Sequence, residues 1–482
     1  MSEDYLRGNF MSILASFMVP HPPLIVPQVG KGGEKQVLKT ISSYEKTADE
    51  IAALCPDTII ITSPHQTMYA DYFHISPGKS AKGSFAKFGA PDVKFNEEYD
   101  EDLVDKISKI AHKEKFPCGI LGEEDSKLDH GTMVPLWFIR NKYKGGKIVR
   151  IGLSGLPLTE HYRLGMIIEE AVEALGRKAV FVASGDLSHK LQDYGPYGFA
   201  KEGPQYDERI MDVMGRGAFG ELFDFSEDFC DKAAECGHRS FVIMAGAWDS
   251  RNVRTEVLSH EDTTGVGYGI VTFYPEAGEA PEREFLTSYL KREAKELADK
   301  KAASDLYVRL ARLSVDMFVK YRRGLSIPKD LKDLAGDEEI PDDLLNRRAG
   351  AFVSIHEHGR LRGCIGTILP TRKNLAEEIA MNAISASSRD PRFDPITVDE
   401  LPMLDINVDI LSDPEDIDSK DQLDVKKYGV IVSAKDGRRG LLLPDLDGVD
   451  TVDYQVSVAM QKGGIRPDED YYLQRFEVVR HV

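Results

Sequence analysis

From residue 13 to about residue 275, short apolar runs alternate with longer stretches whose apolar residues return every three or four positions. That alternation reads as strands followed by amphipathic helices. Ile13–Val19, Asp57–Thr62 and Ala179–Ser184 are short and apolar or β-branched, and Pro56 and Pro64 bracket the second. Each predicts a buried strand. Glu34–Leu54 and Leu164–Leu175 read as helices, and Gly265–Phe273 as the last strand of the unit. The pattern predicts an α/β sheet with helices packed over it.

The pattern then changes. Pro275–Pro281 reads as a linker, and Arg283–Lys301 as a charged, solvated helix. A second domain is expected from Ser304 onward, so that residues 1–278, 279–303 and 304–482 form first domain, helical linker and second domain. In the second domain Asp305–Lys320, Ile340–Leu345 and Glu377–Ser387 read as helical, and Gly350–Ile355, Leu404–Leu411 and Gly429–Val432 as strands. That is an α+β pattern.

Composition narrows the function classes. A chain of 482 residues exceeds one ordinary core. The net charge of -19 repels phosphates and anionic lipid, so nucleic acid is not an expected partner and neither is a membrane surface. The five cysteines are odd in number and form no CxxC pair, which fits reduced thiols in a cytoplasmic protein. Residues 1–10 are polar, and no run reaches the roughly 20 apolar residues of a membrane helix.

Candidate chemistry sits at the strand ends. His21, His65 and His189 each follow an expected strand. Ligands of open α/β sheets bind outside the carboxyl ends of the strands, and imidazole is a good ligand for Fe, Cu, Ni and Zn. A single loop histidine is usually just solvated. Three at equivalent places favour one shared site.

Five segments in order carry a resemblance. Val19-Pro20-His21-Pro22-Pro23, Ser63-Pro64-His65, Asp129-His130-Gly131 with Val134-Pro135-Leu136, Ser184-Gly185-Asp186-Leu187-Ser188-His189 and Ala234-Glu235-Cys236-Gly237 resemble the motifs of class III (LigB-type) extradiol ring-cleaving dioxygenases. The resemblance implies a non-haem Fe(II) centre, with other divalent metals as alternatives, and a catechol-like aromatic substrate. It implies His21 and His65 as ligands, His189 as acid–base residue and His130 as its assistant. Glu235 is expected as third ligand, with Cys236 as the alternative, because the related Memo proteins use a cysteine in this region. Relatives of this fold often pair, which makes a homodimer an expectation as well.

In the second domain, Leu361-Arg362-Gly363-Cys364-Ile365-Gly366-Thr367 sets a cysteine between glycines and beside an arginine, between a strand and a turn. Arg389 and Arg392 follow in Ser388-Arg389-Asp390-Pro391-Arg392-Phe393. A cation near a thiol favours thiolate, and Arg362, Cys364, Arg389 and Arg392 form a second candidate site. The same arginines, with Arg360, would make a local basic patch if the fold collected them. A small buried packing residue is the plainer reading of Cys364. These segments, with Gly440-Leu441-Leu442-Leu443-Pro444, resemble the AMMECR-type domain. Fusion to a LigB-like domain resembles protein A of the AmmeMemoRadiSam system, which implies a Memo-like protein and a radical SAM protein as partners. The alternative function is therefore a metal-binding or scaffold component of such a system without dioxygenase activity.

Overall fold

Near-continuous apolar strands form the centre of the first unit. The computed structural model describes residues 13–122, 126–446 and 448–482, so the polar start at residues 1–10 lies outside the described residues. The chain divides into Met1–Leu290 and Lys291–Val482. In the first unit, β1 (Ile13–Val19), β2 (Thr58–Ser63), β3 (Lys147–Gly152), β4 (Ala179–Ser184), β5 (Arg251–Glu261) and β6 (Tyr268–Glu279) make one sheet of order β3-β2-β4-β1-β6-β5. The first four strands in that order are parallel, and β6 and β5 are antiparallel additions. All six residues of β2 and of β4 are buried, as expected of parallel strands covered on both faces.

Helices α1 (Leu38–Leu54) and α2 (His130–Lys142) cover one face, and α3 (Leu158–Leu175) and α4 (His238–Gly246) cover the other. Trp248, just after α4, is fully buried, and its Nε1 donates to Ser16 Oγ of β1 at 2.8 Å.

Two expectations need correction. Residues 275–281 are not a linker, because β6 runs on to Glu279, with Pro275 opposite Val253 and Glu279 opposite Arg251. Among the described residues β6 pairs beyond Phe273 with β5 alone, and a strand with one open edge tolerates proline. No strand is expected directly before Gly265–Phe273, yet Arg251–Glu261 forms β5, with Glu256 and Glu261 in it. This outer strand carries charged side chains, Arg254 and Glu256 among its exposed positions, a composition that discourages edge-to-edge pairing.

The charged stretch near residue 283 is helical over Phe285–Ala303. In the second unit, β7 (Ala351–Glu357), β8 (Arg360–Gly366), β9 (Leu404–Leu411) and β14 (Val478–His481) form an antiparallel sheet of order β8-β7-β9-β14. Its core is shared with α5 (Leu306–Tyr321) and α6 (Leu375–Ser388). A second sheet combines β10 (Glu415–Ile417), β11 (Gly429–Ala434), β12 (Arg439–Leu442) and β13 (Tyr471–Phe476), and α7 (Val452–Lys462) packs on it. The cysteine motif lies within a strand, β8, rather than between a strand and a turn. The chain thus combines an α/β unit with an α+β unit.

Candidate metal centre

The parallel register places the ends of β1 and β4 side by side, with Val19 opposite Ser184. β2 ends beside them. The loops that follow carry His21, His65 and His189 to one place. The Nε2 atoms of His21 and His65 lie 2.9 Å apart, and Cys236 Sγ is 3.7 Å from His21 Nε2. Ligand atoms of His21, His65 and Cys236 all fall within 4.8 Å of one another, as do those of Asp186, His189 and Cys236. Cys236 is common to both groups. His130, the first residue of α2, stacks on His65 with ring centroids 4.0 Å apart.

The hydrogen bonds orient His21. Ser184 Oγ donates to Gly131 O at 2.6 Å, since a carbonyl can only accept. That leaves Ser184 Oγ only lone pairs for His21 Nδ1 at 3.0 Å, so Nδ1 carries the ring proton. The neutral ring then turns the Nε2 lone pair toward His65 and Cys236. His65 Nε2–H donates to it, and a cation would take that proton's place. His189 Nε2 is buried and has no hydrogen-bond partner among the described residues; Asp186 Oδ2 stands 3.9 Å away. Two imidazole nitrogens, a thiol sulfur and an orphaned third imidazole nitrogen suit a transition-metal ion.

Burial keeps these groups neutral. Desolvation lowers the pKa of His189 and of His130 to about 4, reinforced by the charge of His65. It holds His21 well below the usual imidazole range. Burial raises Asp186 to about 7 against the stabilising His21 N–H, which donates to its Oδ1 at 2.8 Å. It also pushes the Cys236 thiol well up, with the charges of Asp186 and Glu235 adding to the effect.

The third ligand expected from the dioxygenase pattern is not in the cluster. Glu235 Oε2 accepts the backbone N–H of His238 at 2.6 Å and so caps the start of α4. Ala234 causes the divergence: its left-handed conformation, φ 53°, turns the chain after the helix Glu227–Ala233. Glu235 then points to α4, and Cys236 faces Asp186, whose N–H donates to Sγ at 3.3 Å. Asp186, to which the resemblance gives no role, also lies in the cluster, and its place three residues before His189 at the end of a strand is the signal the sequence offers for it.

The Cys236 turn reaches the histidines because two backbones touch. A Cβ on Gly185 would lie 2.1 Å from Gly237 Cα. Gly185→Ala is expected to destabilise the protein by about 1–3 kcal/mol through forced separation of these loops. A thermal melt within 1 °C of the wild type would contradict this.

His238 does not reach the site. Its Nε2 donates to Leu222 O, and its Nδ1 accepts from Tyr206. Tyr197 stacks on His189 with centroids 5.0 Å apart, while Tyr194 is exposed.

In the second unit, Cys364 Sγ accepts from Ser354 Oγ at 3.3 Å, and the Cys364 N–H donates to Asp390 Oδ2 at 2.9 Å. Arg392 is paired with Asp390, and Arg362 with Glu400, at 2.7 and 2.6 Å. Two of the four arginines of the expected basic patch are thus neutralised by neighbouring carboxylates. Arg389 is exposed at the end of α6.

An α/β unit with imidazoles clustered at its strand ends, followed by an α+β unit, matches two known families. Residues 15–271 match the family described as "Catalytic LigB subunit of aromatic ring-opening dioxygenase", and residues 308–481 match AMMECR1. The chain belongs to the LigB family and carries an AMMECR1 domain behind the LigB domain. It is similar along nearly its whole length to Protein CA_C1420 of Clostridium acetobutylicum, with 39% identity over 98% of this chain and 99% of that one. A Thermotoga maritima protein shares 49% identity over 36% of this chain and 96% of its own length. A Pseudomonas 2-aminophenol 1,6-dioxygenase beta subunit is 26% identical over 54% of this chain and 93% of its own. Among the described residues no helix is long and apolar enough to cross a membrane.

Proposed function

We propose that the LigB unit is a metal-dependent ring-opening dioxygenase acting on an aromatic with two adjacent oxygen or nitrogen donors, as in catechols and aminophenols. The observation that carries this reading is the convergence of His21, His65 and Cys236 next to two further neutral imidazoles. A bound divalent ion such as Fe(II) would supply the redox chemistry and a cationic anchor for the substrate donors. His21, His65 and Cys236 would hold it, with Asp186 within reach. His189 has a free, buried Nε2 and stays neutral above pH of about 4, so it takes the phenolic proton of the incoming substrate. Asp186, 3.9 Å away, steadies the imidazolium that results. His130 donates to a substrate oxygen from its place over His65. The relative named as a 2-aminophenol dioxygenase subunit supports this chemistry.

A second reading rests on Cys236 itself. A thiol in place of the third-ligand carboxylate suits a softer ion, and fits a metal-binding component that works with a Memo-like protein and a radical SAM protein without oxygen chemistry. Protein purified without air is expected to hold about one metal ion per chain, lost in His21→Ala. Oxygen uptake with catechol or 2-aminophenol then separates the readings. Metal without uptake favours the second, and no metal in the wild type overturns both.

A further inference from the structure

The loop that carries His189 is aimed from outside the cluster. Among the described residues no hydrogen bond holds the His189 ring, which stacks on Tyr197 and has Asp186 Oδ2 at 3.9 Å. Its direction is therefore set by its backbone. Ser188, the residue before it, has every polar group engaged. The Ser188 N–H donates to Asp207 Oδ1 at 2.8 Å, and its carbonyl accepts from Gly267 N at 2.8 Å. Its Oγ donates to Ala233 O at 2.8 Å and accepts from Lys190 N at 3.0 Å. Asp207 is the one side chain among these four partners.

Asp207 stands on the helix Glu202–Arg216 and is 2% exposed. A carboxylate buried so deeply is costly unless donors meet it. Its Oδ2 accepts the Nε2–H of His260 at 2.9 Å, and burial, which works against the ionised carboxyl, is opposed by the His260 and Ser188 donors. Gly267 leaves room for the carboxylate, since a Cβ there would lie 1.9 Å from Asp207 Oδ2. His260 belongs to β5, opposite Gly269 of β6, and its side chain is partly exposed. A line of contacts thus runs from the outer strand through a buried carboxylate to the backbone beside His189. Neither Asp207 nor His260 belongs to the groups of ligand atoms, and no motif marks either in the sequence.

We infer that Asp207 and His260 are positioning residues, which fix Ser188 and thereby the direction in which His189 presents its imidazole to the substrate. This rests on the ring-opening reading for the use of that imidazole and adds the pair that aims it. A reacting group misplaced by about 1 Å loses on the order of 100-fold in rate. The pair therefore acts on turnover and leaves substrate and metal binding in place.

The test follows the histidine Cε1 signals of the carbon-13-labelled, Zn(II)-loaded full chain by NMR, with His189 assigned by its loss in His189→Gln. In His260→Ala and Asp207→Ala the His189 signal is expected to shift or broaden while those of His21 and His65 stay in place. In His260→Gln, whose amide keeps a donor toward Asp207, it returns. In the Fe(II)-loaded protein, kcat for oxygen uptake with catechol or 2-aminophenol should fall about 10- to 100-fold in Asp207→Ala and less in His260→Ala, with KM and metal content within about twofold of wild type. An unmoved His189 signal in both alanine variants overturns the inference, as does a joint shift of His21 and His65, which marks general loosening. A rise in KM that matches the fall in kcat overturns it as well. Should Asp207→Ala fail to fold, His260→Ala decides. A wild type that takes up no oxygen removes the ring-opening reading, and the His189 signal alone then decides whether the pair positions that ring.

Discussion

Cys236→Ala is expected to lose about 100-fold or more in affinity for a divalent ion, while Glu235→Gln stays within a few-fold of wild type. The contrast follows from the turn at Ala234. Cys236 Sγ is 3.7 Å from His21 Nε2, whereas Glu235 is engaged with the start of α4. One ligand of a four-ligand site with about 10–16 kcal/mol of binding energy contributes roughly 3 kcal/mol. Competition titration against a chromophoric chelator measures both variants, and equal losses would refute the assignment. The affinity should also depend on pH. Burial keeps the Cys236 thiol protonated at neutral pH, so an incoming cation must displace that proton. Binding therefore strengthens as pH rises, by up to about tenfold per unit when one proton leaves. His21 sets no opposing demand there, because its lowered pKa leaves it neutral.

Arg150→Met is expected to destabilise the first unit by about 3–5 kcal/mol, the usual consequence of removing one partner of a buried ion pair. The Arg150 side chain is fully buried, with Nη1 3.9 Å from Asp129 Oδ2 and Nε donating to Ser76 Oγ at 2.8 Å. Asp129 in turn accepts from Ser63 Oγ at 2.6 Å and from Thr132 N and Oγ1 at the start of α2. Ser63 Oγ accepts the N–H of His65. One guanidinium thus underlies the loop of His65 and the helix that begins with His130. Urea unfolding followed by tryptophan fluorescence reads the loss. A change below about 1 kcal/mol would mean that Asp129 is supported without it, and Arg150→Lys should recover part of the stability.

The positions of the histidines were legible in the sequence because each ends an apolar run, and such runs fold into buried parallel strands whatever else surrounds them. The third ligand was not. Glu235 and Cys236 are neighbours, and which one enters the cluster depends on the left-handed Ala234. Asp186 was equally hidden, since its meaning comes from the N–H of a residue 165 positions away. Nothing in the sequence singles out Arg150, and only the hydrogen bonds that Asp129 makes at the start of α2 and to the His65 loop make it central. β5 was missed because its charged and polar residues break up any apolar run. In the second unit the motif around Cys364 stood out, but Arg362 and Arg392 are paired with Glu400 and Asp390.

His21 and Cys236 are 215 residues apart, and their meeting depends on β1, β4 and the Gly185–Gly237 contact all being in place. Closing so long a loop carries a large entropic cost, which a single weak chelate in the unfolded chain does not offset. An ion held there would therefore enter a finished scaffold and would not nucleate it. A chelator should strip the centre without melting the fold, and reloading should be fast. Added metal should raise the melting temperature only by the mass-action increment that its free concentration and Kd allow.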